Sequence, residues 1–299
     1  MDRADYSYKL SVIVPITKMA GKLGLLKSWV NEAIEQEIKV ILVHDYKDQE
    51  TADELITFIG SIDSAALEFI EGRFNAPGVA RNAGMSSIDS EWVAFWDSDD
   101  LPDVQKALNL INEGISGKKT ILVGSFSKVS ILEPEAIEHV SFRGPPNSWI
   151  NQISKSPGLW RFIIHRSRLQ KQPFSEIRMG EDQLLIEELL ESSGEFFFCN
   201  ESIYTYYLGN QFQTTRSQSA RSDIKKLVLH SARLYTQSSG KYRRILAPYL
   251  IRQFVSALKY LEIQAIVVLV FELIKITRLW MLLEALLFTL YPYRTMSSK

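Results

Sequence analysis

The stretch EWVAFWDSDD (residues 91–100) joins a strongly apolar segment to a cluster of acids. Its β-branched and aromatic residues are nearly continuous, which is typical of a strand buried on both faces. Three carboxylates follow within four positions, at Asp97, Asp99 and Asp100. Because like charges repel, this cluster indicates either an acidic turn that begins a helix or a site for a cation.

Four further apolar runs of the same kind surround this stretch, and helix-like segments separate them. The runs are LSVIVPI (10–16), KVILVHD (39–45), LEFIEG (67–72) and TILVGSFSKV (120–129), and the helix-like segments are 20–37, 49–60, 78–88 and 102–114. Alternating strands and helices predict an α/β fold, with a mostly parallel sheet flanked by helices. Ligands of such sheets bind beyond the carboxyl ends of the strands, where the acidic turn is expected to lie.

The second half of the chain is less regular. Residues 133–160 have no clear period, and RFIIH (161–165) predicts a short strand. A helix is expected from Glu181, and EFFFCNESIYTYYL (195–208) predicts a further pair of strands. The remainder predicts helices over 222–237, 241–260 and 262–290. We therefore expect a catalytic domain over 1–216 and an all-helical C-terminal extension over 217–299.

The composition is that of a globular protein, with 46% hydrophobic and 23% charged residues among 299. A single cysteine, Cys199, excludes an intramolecular disulfide and a Cys-rich zinc site, and we expect it to be a small buried side chain. The N-terminal residues contain no apolar segment typical of a signal peptide. These features predict a cytoplasmic location.

The net charge of −1 conceals an asymmetry between the two predicted regions. From Arg216 onward there are 14 Lys and Arg residues against 4 Asp and Glu, whereas the preceding 215 residues carry 20 against 31. An acidic body followed by a basic helical region suggests two parts with different partners.

Three other motifs accompany the acidic turn in a fixed order: SVIVPIT (11–17), GVARNAGM (78–85) and GEDQLL (180–185). Together with the acidic end of the second predicted strand at Asp45, this series resembles the family 2 glycosyltransferases, enzymes of the Rossmann-like GT-A fold. The resemblance covers about residues 8–216. Each motif is weak alone, and it is their order and spacing that make the match specific.

The resemblance implies a donor site for a nucleoside diphosphate sugar, with uracil as the favoured base. The donor-binding residues that it implies are Pro15, Thr17, Asp45, Arg81, Asn82, Asp97 and Arg216. Asp97 and Asp99 would hold Mn²⁺ or Mg²⁺, while Asp100 is expected to be structural. The residues also permit simpler interpretations: Asp45 in a turn, and Arg81 in an ion pair with a nearby aspartate.

The resemblance also implies an inverting reaction in which Asp182, or alternatively Glu181, removes the proton of the acceptor hydroxyl. The alternative for this acidic pair is a helix N-terminus stabilised by negative charge. Trp149 and Trp160 are candidate contacts to a glycan or lipid-linked acceptor, as in cell-surface polysaccharide assembly, because aromatic faces suit sugars. Both could equally be core residues.

Two departures from the family pattern keep other functions open. The second strand ends in His44-Asp45-Tyr46-Lys47 rather than in an acidic pair, and no histidine follows YTYYL (204–208) as a third metal ligand. A degenerate protein that binds nucleotide sugar or acts as a scaffold is therefore one alternative. A sugar-nucleotide nucleotidyltransferase is disfavoured because PITKMAGKLG (15–24) is a poor Gly-rich loop. QTTRS (213–217) lacks the Trp of processive synthases, which favours addition of a single sugar.

The last predicted helix is apolar but interrupted by charges. No charge-free run exceeds nine residues, whereas a membrane-spanning helix needs about 20 apolar residues. Glu272, Lys275 and Arg278 share one face and leave a broad apolar one. Two partners remain open for this region: a homo-oligomer or packed subdomain contact, and an anionic membrane surface on which the protein is peripheral. No motif indicates nucleic acid.

Overall fold

A computed structural model describes residues 6–209, 223–261 and 263–290 of the chain. Its centre is a nine-stranded mixed sheet in the order β3-β2-β1-β4-β8-β6-β9-β5, with β7 paired to β6. The strands are β1 Tyr8–Ile16, β2 Lys39–Asp45, β3 Leu67–Gly72, β4 Ser90–Phe95, β5 Leu101–Pro102, β6 Ile121–Ser130, β7 Glu133–Val140, β8 Phe162–His165 and β9 Phe196–Leu208.

The strands β1, β2, β3 and β4 form the parallel part of the sheet. Val12 of β1 lies between Val40 of β2 and Ala94 of β4, and all three side chains are fully buried. This burial explains why β1, β2 and β4 read as nearly continuous apolar runs, whereas most side chains of β3 are only partly buried. The positions of the four strands confirm the predicted strands, except that β4 ends at Phe95 and Asp97 lies in the following turn.

The other part of the sheet is mixed. Strand β8 runs antiparallel to both β4 and β6, and β9 runs parallel to β6. The predicted strand pair over 195–208 is wrong, because Phe196–Leu208 forms one long strand whose register with β6 shifts near Ser125. The predicted irregular segment likewise contains β7, an exposed strand on the edge beside β6.

Three helices connect the strands of the parallel part, and a fourth lies between β5 and β6. They are α1 Gly24–Glu35, α2 Gln49–Gly60, α3 Pro77–Gly84 and α4 Val104–Ser116. The helix predicted over 102–114 begins later, at Val104, because Leu101–Pro102 pairs with β9 as strand β5. Asp103 is the N-cap residue of α4 and accepts a hydrogen bond from the Lys106 N–H at 3.0 Å.

Helix α3 lies directly on the sheet. A Cβ atom added at Gly84 would stand 2.7 Å from the Cγ2 atom of Ile13, so a larger residue here would push the helix away from β1. This close approach, together with the short connection from α3 to β4, sets where Arg81 and Asn82 stand near the ends of the strands.

By its internal contacts the described chain divides into two compact units. The first comprises residues 6–143, 158–176 and 194–209, and the second comprises 144–157, 177–193, 223–261 and 263–290. This division differs from the predicted boundary at residue 216, since two segments of the predicted catalytic domain cluster with the C-terminal helices. The two segments contact the C-terminal helices directly: the Arg252 Nη1 atom donates to the Ser154 carbonyl, and Ser231 Oγ donates to the carboxyl group of Glu187.

The second unit is mainly helical. Its elements are a 3₁₀ helix Pro146–Lys155 and the α-helices α5 Glu181–Leu189, α6 Asp223–Gln237, α7 Gly240–Tyr260, α8 Ile263–Ile276 and α9 Leu279–Leu290. The single helix predicted over 262–290 is therefore two helices, which separate at Thr277–Arg278. None of the described helices combines the length and the apolar character that a bilayer crossing requires.

Candidate active site

The first unit brings several predicted site residues to one edge of the sheet. Strands β1, β2 and β4 are parallel neighbours, so Thr17, Asp45 and Asp97 all follow their carboxyl ends. Thr17 is exposed, Asp45 is buried and Asp97 is half-buried. This edge is where open parallel sheets bind ligands.

Arg81 and Asp97 form the central ion pair of this edge. The Arg81 Nη2 atom donates to the Asp97 Oδ1 atom at 2.8 Å, and the guanidinium lies 5.6 Å from the centre of the Phe174 ring. Arg81 is 6% exposed, so its charge is largely withdrawn from water. The structural pair allowed by the sequence is thus present, and it holds a fork-shaped cation suited to oxyanions at the acidic turn.

The three acids of the turn differ in environment. The side chains of Asp97 and Asp99 are partly exposed, whereas Asp100 is only 1% exposed. Burial, and then the negative charges of Asp97 and Asp99, raise the pKa of Asp100 well above its usual range. The Asp100 Oδ1 atom accepts a hydrogen bond from the Tyr207 N–H at 2.8 Å. The structural role expected for Asp100 stays a prediction, and its burial supports it.

Tyr204 supports the turn from below and was not predicted as a site residue. Its hydroxyl oxygen accepts a hydrogen bond from the Asp97 N–H at 3.0 Å. Burial and the charges of Asp100, Asp97 and Asp99 raise the pKa of Tyr204 well above its usual value. The pairing of Pro102 with Tyr204 between β5 and β9 brings this tyrosine beneath the acids. Only the strand pairing reveals the contact, because the two segments are about a hundred residues apart in sequence.

Asp45 holds the loop that follows β3. Its Oδ1 atom accepts a hydrogen bond from the Phe74 N–H at 2.8 Å and its Oδ2 atom accepts one from the Asn75 N–H at 3.1 Å. Lys47 Nζ lies 3.2 Å from the same Oδ2 atom. Both carboxylate oxygens thus already have partners, so contact with a nucleotide base would use their remaining lone pairs.

Asn82 is also occupied by backbone groups. Its Nδ2 atom donates to the Phe174 carbonyl at 2.7 Å, and its Oδ1 atom accepts from the Phe174 N–H at 3.0 Å. With the ring of Phe174 against Arg81, these two bonds fix the segment after β8 beside α3. Asn82 therefore positions Phe174, whose ring lies against the guanidinium of Arg81.

A divalent cation fits the chemistry of the acidic turn. The oxygens of Asp97 and Asp99 are hard ligands, and their charges bear on the buried Asp100, whose Oδ2 atom has no hydrogen-bond partner among the described residues. Within the described ranges no group of three or more His, Cys, Asp or Glu side chains is arranged as a metal site. Such a turn suits Mg²⁺ or Mn²⁺ held by one or two carboxylates and completed by substrate phosphates.

The acidic pair of GEDQLL opens helix α5 in the second unit. Glu181 is buried, whereas Asp182 is partly exposed, so Asp182 is the more accessible of the two. The preceding Gly180 has φ of +87°, and a Cβ atom there would lie 2.7 Å from Leu227. Glycine is required at this position for both reasons.

The opposite end of α5 is held by a buried polar cluster. Glu187 is fully buried, with Ser231 Oγ 2.7 Å from both carboxyl oxygens and the Gln253 Nε2 atom donating to Oε1 at 2.6 Å. The Tyr242 hydroxyl donates to the Glu187 carbonyl at 2.8 Å. Burial raises the pKa of Glu187 to about 8. Helices α6 and α7 thereby fix the helix that carries Asp182.

The remaining described candidates, Trp160, Trp149 and Pro15, each have contacts within their own unit. Trp160 belongs to the first unit, where its ring stacks on Tyr204 with a centroid distance of 4.5 Å and packs against the core. Trp149 belongs to the second unit, and its Nε1 atom donates to the Gly144 carbonyl at 2.8 Å. Pro15 is a half-buried residue of β1 that pairs with Val43. Arg216 lies outside the described residues.

The fold is GT-A-like, and it resembles solved structures at low sequence identity. S. aureus TarS 1-349 in complex with UDP-GlcNAc matches with a TM-score of 0.68 and 15% identity, over 95% of this chain and 89% of that one. The mannosyltransferase PcManGT from Pyrobaculum calidifontis, in complex with GDP-Man and Mn²⁺, matches with a TM-score of 0.54 and 14% identity, over 97% and 89%. At such identities the likeness concerns the fold alone.

The sequence itself matches the family model of glycosyl transferase family 2 over residues 11–177, more than half of the chain. The chain belongs to this family. Glycosyltransferase GlyA of Streptococcus pneumoniae is 22% identical over 214 residues, which are 66% of this chain and 30% of GlyA. Succinoglycan biosynthesis protein ExoO of Rhizobium meliloti is 25% identical over 197 residues, which are 60% of this chain and 56% of ExoO. The chain thus spans less than two thirds of either relative.

Proposed function

We propose that this chain transfers a single sugar, with inversion, from a nucleoside diphosphate sugar to a hydroxyl of a glycan or lipid-linked acceptor. The observation that carries the proposal is the Arg81–Asp97 ion pair beside Asp99, at the carboxyl edge of the parallel strands in a family 2 chain. UDP is the favoured nucleotide, and the TarS complex with UDP-GlcNAc supports testing that donor first. The ExoO relative supports a role in polysaccharide assembly.

The donor diphosphate would contact Arg81, whose guanidinium forks onto oxyanions. Pro15, Thr17, Asp45, Asn82 and Arg216 would line or support the nucleotide site. Asp97 and Asp99 would hold Mn²⁺ or Mg²⁺, and the PcManGT complex with Mn²⁺ supports this choice. When bound, such an ion would neutralise the charge that develops on the diphosphate.

In the proposed reaction Asp182 accepts the proton of the acceptor hydroxyl. The hydroxyl oxygen forms a bond to the anomeric carbon as the bond from that carbon to the diphosphate oxygen breaks. The bonding electrons leave with the nucleoside diphosphate, and the configuration at the anomeric carbon inverts. Trp149 and Trp160 are the proposed acceptor contacts, although the packing of Trp160 favours a structural role for it.

A non-catalytic protein that binds nucleotide sugar is the second candidate. The observation in its favour is that Asp45 and Asn82 already use their polar atoms to hold backbone groups. A transfer assay together with a binding assay separates the two candidates, because a non-catalytic protein binds donor without consuming it.

The test pairs two isosteric substitutions with matched controls. We expect Asp99→Asn to weaken Mn²⁺-dependent binding of UDP-GlcNAc at least tenfold by calorimetry, since it removes a charged ligand. Asp182→Asn should leave donor binding within twofold of wild type and reduce transfer by a factor of about 10² or more. The controls are the exposed Asp63→Asn and, on the same helix as Asp182, Glu188→Gln.

The outcomes are distinct. If the wild-type chain binds a donor but transfers no sugar to any hydroxyl acceptor, including water, the non-catalytic candidate holds. If Asp182→Asn retains full transfer, another group is the base. If Asp99→Asn binds donor and Mn²⁺ as tightly as wild type, the assignment of the cation site is wrong.

A further inference from the structure

The helices α8 and α9 expose an unusual amount of apolar surface. Between Val255 and Leu290 thirteen large apolar side chains are exposed, against seven in the rest of the described chain. On α9 the exposed residues Leu279, Leu283, Leu286 and Leu290 follow helical spacing and form one face. Apolar surface of this extent is typical of a site of interaction.

Both helices already bury their other faces within the second unit. Leu269 and Leu273 of α8, with Met281 and Ala285 of α9, belong to the core that α6 and α7 complete. A helix that is apolar on all sides is normally surrounded by protein or lipid. The exposed faces of α8 and α9 therefore call for a second apolar environment beyond that core.

The exposed charged side chains that the structure describes beside these faces are all positive. From Val255 to Leu290 they are Lys259, Lys275 and Arg278. Two of the three acids of this stretch are described, and both are partly buried and paired within the unit: Glu272 with Lys225 at 3.1 Å, and Glu284 with the Tyr235 hydroxyl at 3.0 Å. The partner of the apolar faces must therefore tolerate or attract positive charge.

We propose that α8 and α9 lie on the surface of an anionic lipid bilayer, with their exposed apolar side chains inserted below the headgroups. Interfacial helices combine an apolar face, flanking Lys and Arg residues and aromatic side chains, here Phe271 and Trp280. Neither helix is long enough to cross a bilayer, which agrees with a position on its surface. A second copy of the chain would instead bring the same positive rim against itself.

The experiment measures sedimentation of the full chain with vesicles, in the absence of donor and acceptor. Vesicles of phosphatidylcholine mixed with phosphatidylglycerol are compared with vesicles of phosphatidylcholine alone. We expect binding to the mixed vesicles and a loss of at least tenfold for the triple variant Phe271→Ser, Trp280→Ser, Leu283→Ser. The matched control is Ile56→Ser, Ile115→Ser, Leu132→Ser, which removes exposed apolar side chains of the first unit.

A charge variant tests whether the positively charged side chains contribute to binding of the anionic bilayer. Lys259→Glu with Lys275→Glu should weaken binding by roughly fivefold or more for each residue changed, and added salt should weaken wild-type binding in the same direction. Lys118→Glu with Lys171→Glu, two exposed positions of the first unit, should bind as wild type does. Thermal unfolding of every variant checks that it remains folded.

Three results overturn the proposal. The first is that the wild-type chain stays in the supernatant when anionic vesicles are sedimented, and the second is that the serine triple variant binds as tightly as its control. The third is that light scattering shows a dimer for the wild-type chain and a monomer for the triple variant, which assigns the face to a second copy. Because vesicle binding is measured without nucleotide, these results are independent of whether the proposed transferase activity exists.

Discussion

Asp97, Asp99, Asp100 and Asp103 lie within seven residues of one another, yet each carboxyl group has a different environment. Asp97 is paired with Arg81, Asp99 is partly exposed, Asp100 is buried and Asp103 caps α4. The sequence showed the cluster directly, and it led us to expect a structural role for Asp100, which the burial of that residue supports. It could not separate the capping residue from the others, because that depends on β5, whose two residues become a strand only by pairing with β9.

Tyr204 offers a test at the scale of one hydroxyl group. Tyr204→Phe removes the acceptor of the Asp97 N–H and leaves that donor without its partner beneath the turn. We expect a loss of about 1–3 kcal/mol in the free energy of unfolding, measured with urea, and weaker donor binding. Tyr207→Phe on the same strand is the control, because its backbone N–H to Asp100 is retained. Equal stability of the two variants would contradict the supporting role of Tyr204.

Secondary structure was predictable where burial imposed a single pattern. Strands β1, β2 and β4 are nearly continuous apolar runs because most of their side chains are buried, and the sequence shows them directly. Strand β7 was missed because nearly all of its side chains are exposed and its sequence contains three glutamates and a proline. Strand β9 was divided in two because the polar segment Asn200–Ser202 interrupts its apolar pattern, although pairing with β6 continues on both sides.

The stability associated with helix α5 depends on the protonation of Glu187. The pKa of Glu187 is raised to about 8, chiefly by burial and further by Glu188, while Ser231 and Gln253 lower it. The folded state therefore binds a proton that the unfolded state has released, and stability is lost as the pH rises from about 4.5 through 8. Across this window the loss is at most about 1.4 kcal/mol for each pH unit.

Glu187→Gln tests this dependence, because glutamine keeps the shape of the carboxyl group and cannot ionise. We expect the unfolding free energy of the variant to fall less between pH 6 and pH 9, values that bracket the titration near 8. Urea unfolding at several pH values measures the difference from wild type, which removes the contribution of other groups such as Asp100. Parallel curves for the two proteins would show that Glu187 is ionised in the folded state.

The division of the whole molecule was the least predictable property. The change of charge and periodicity near residue 216 suggested a boundary in sequence, whereas the contacts assign 144–157 and 177–193 to the unit of the C-terminal helices. Those contacts join residues far apart in the chain, such as Arg252 Nη1 with the Ser154 carbonyl at 2.9 Å. The composition of a sequence does not show which distant residues will be in contact in the fold.

Truncation tests this division. A chain that ends at residue 216 loses Ser231 and Gln253, so the carboxyl group of Glu187 loses its partners. We expect α5 to lose hydrogen-exchange protection in the truncated chain, while β1, β2 and β4 keep theirs, because their core lies in the first unit. A full-length chain with Leu132→Ser serves as a reference of unchanged protection. Retained protection of α5 after truncation would show that it does not depend on the C-terminal helices.

The placement of α5 in the helical unit also has a consequence for recombination within the family. Domain exchange is usually planned at linkers that are visible in a sequence, and here the change of composition near residue 216 would be chosen. A hybrid joined there would combine Glu187 from one parent with residues 231 and 253 from another. Segments 144–157, 177–193 and the C-terminal helices must therefore be inherited together, so that a functional hybrid of this enzyme family needs several crossovers rather than one.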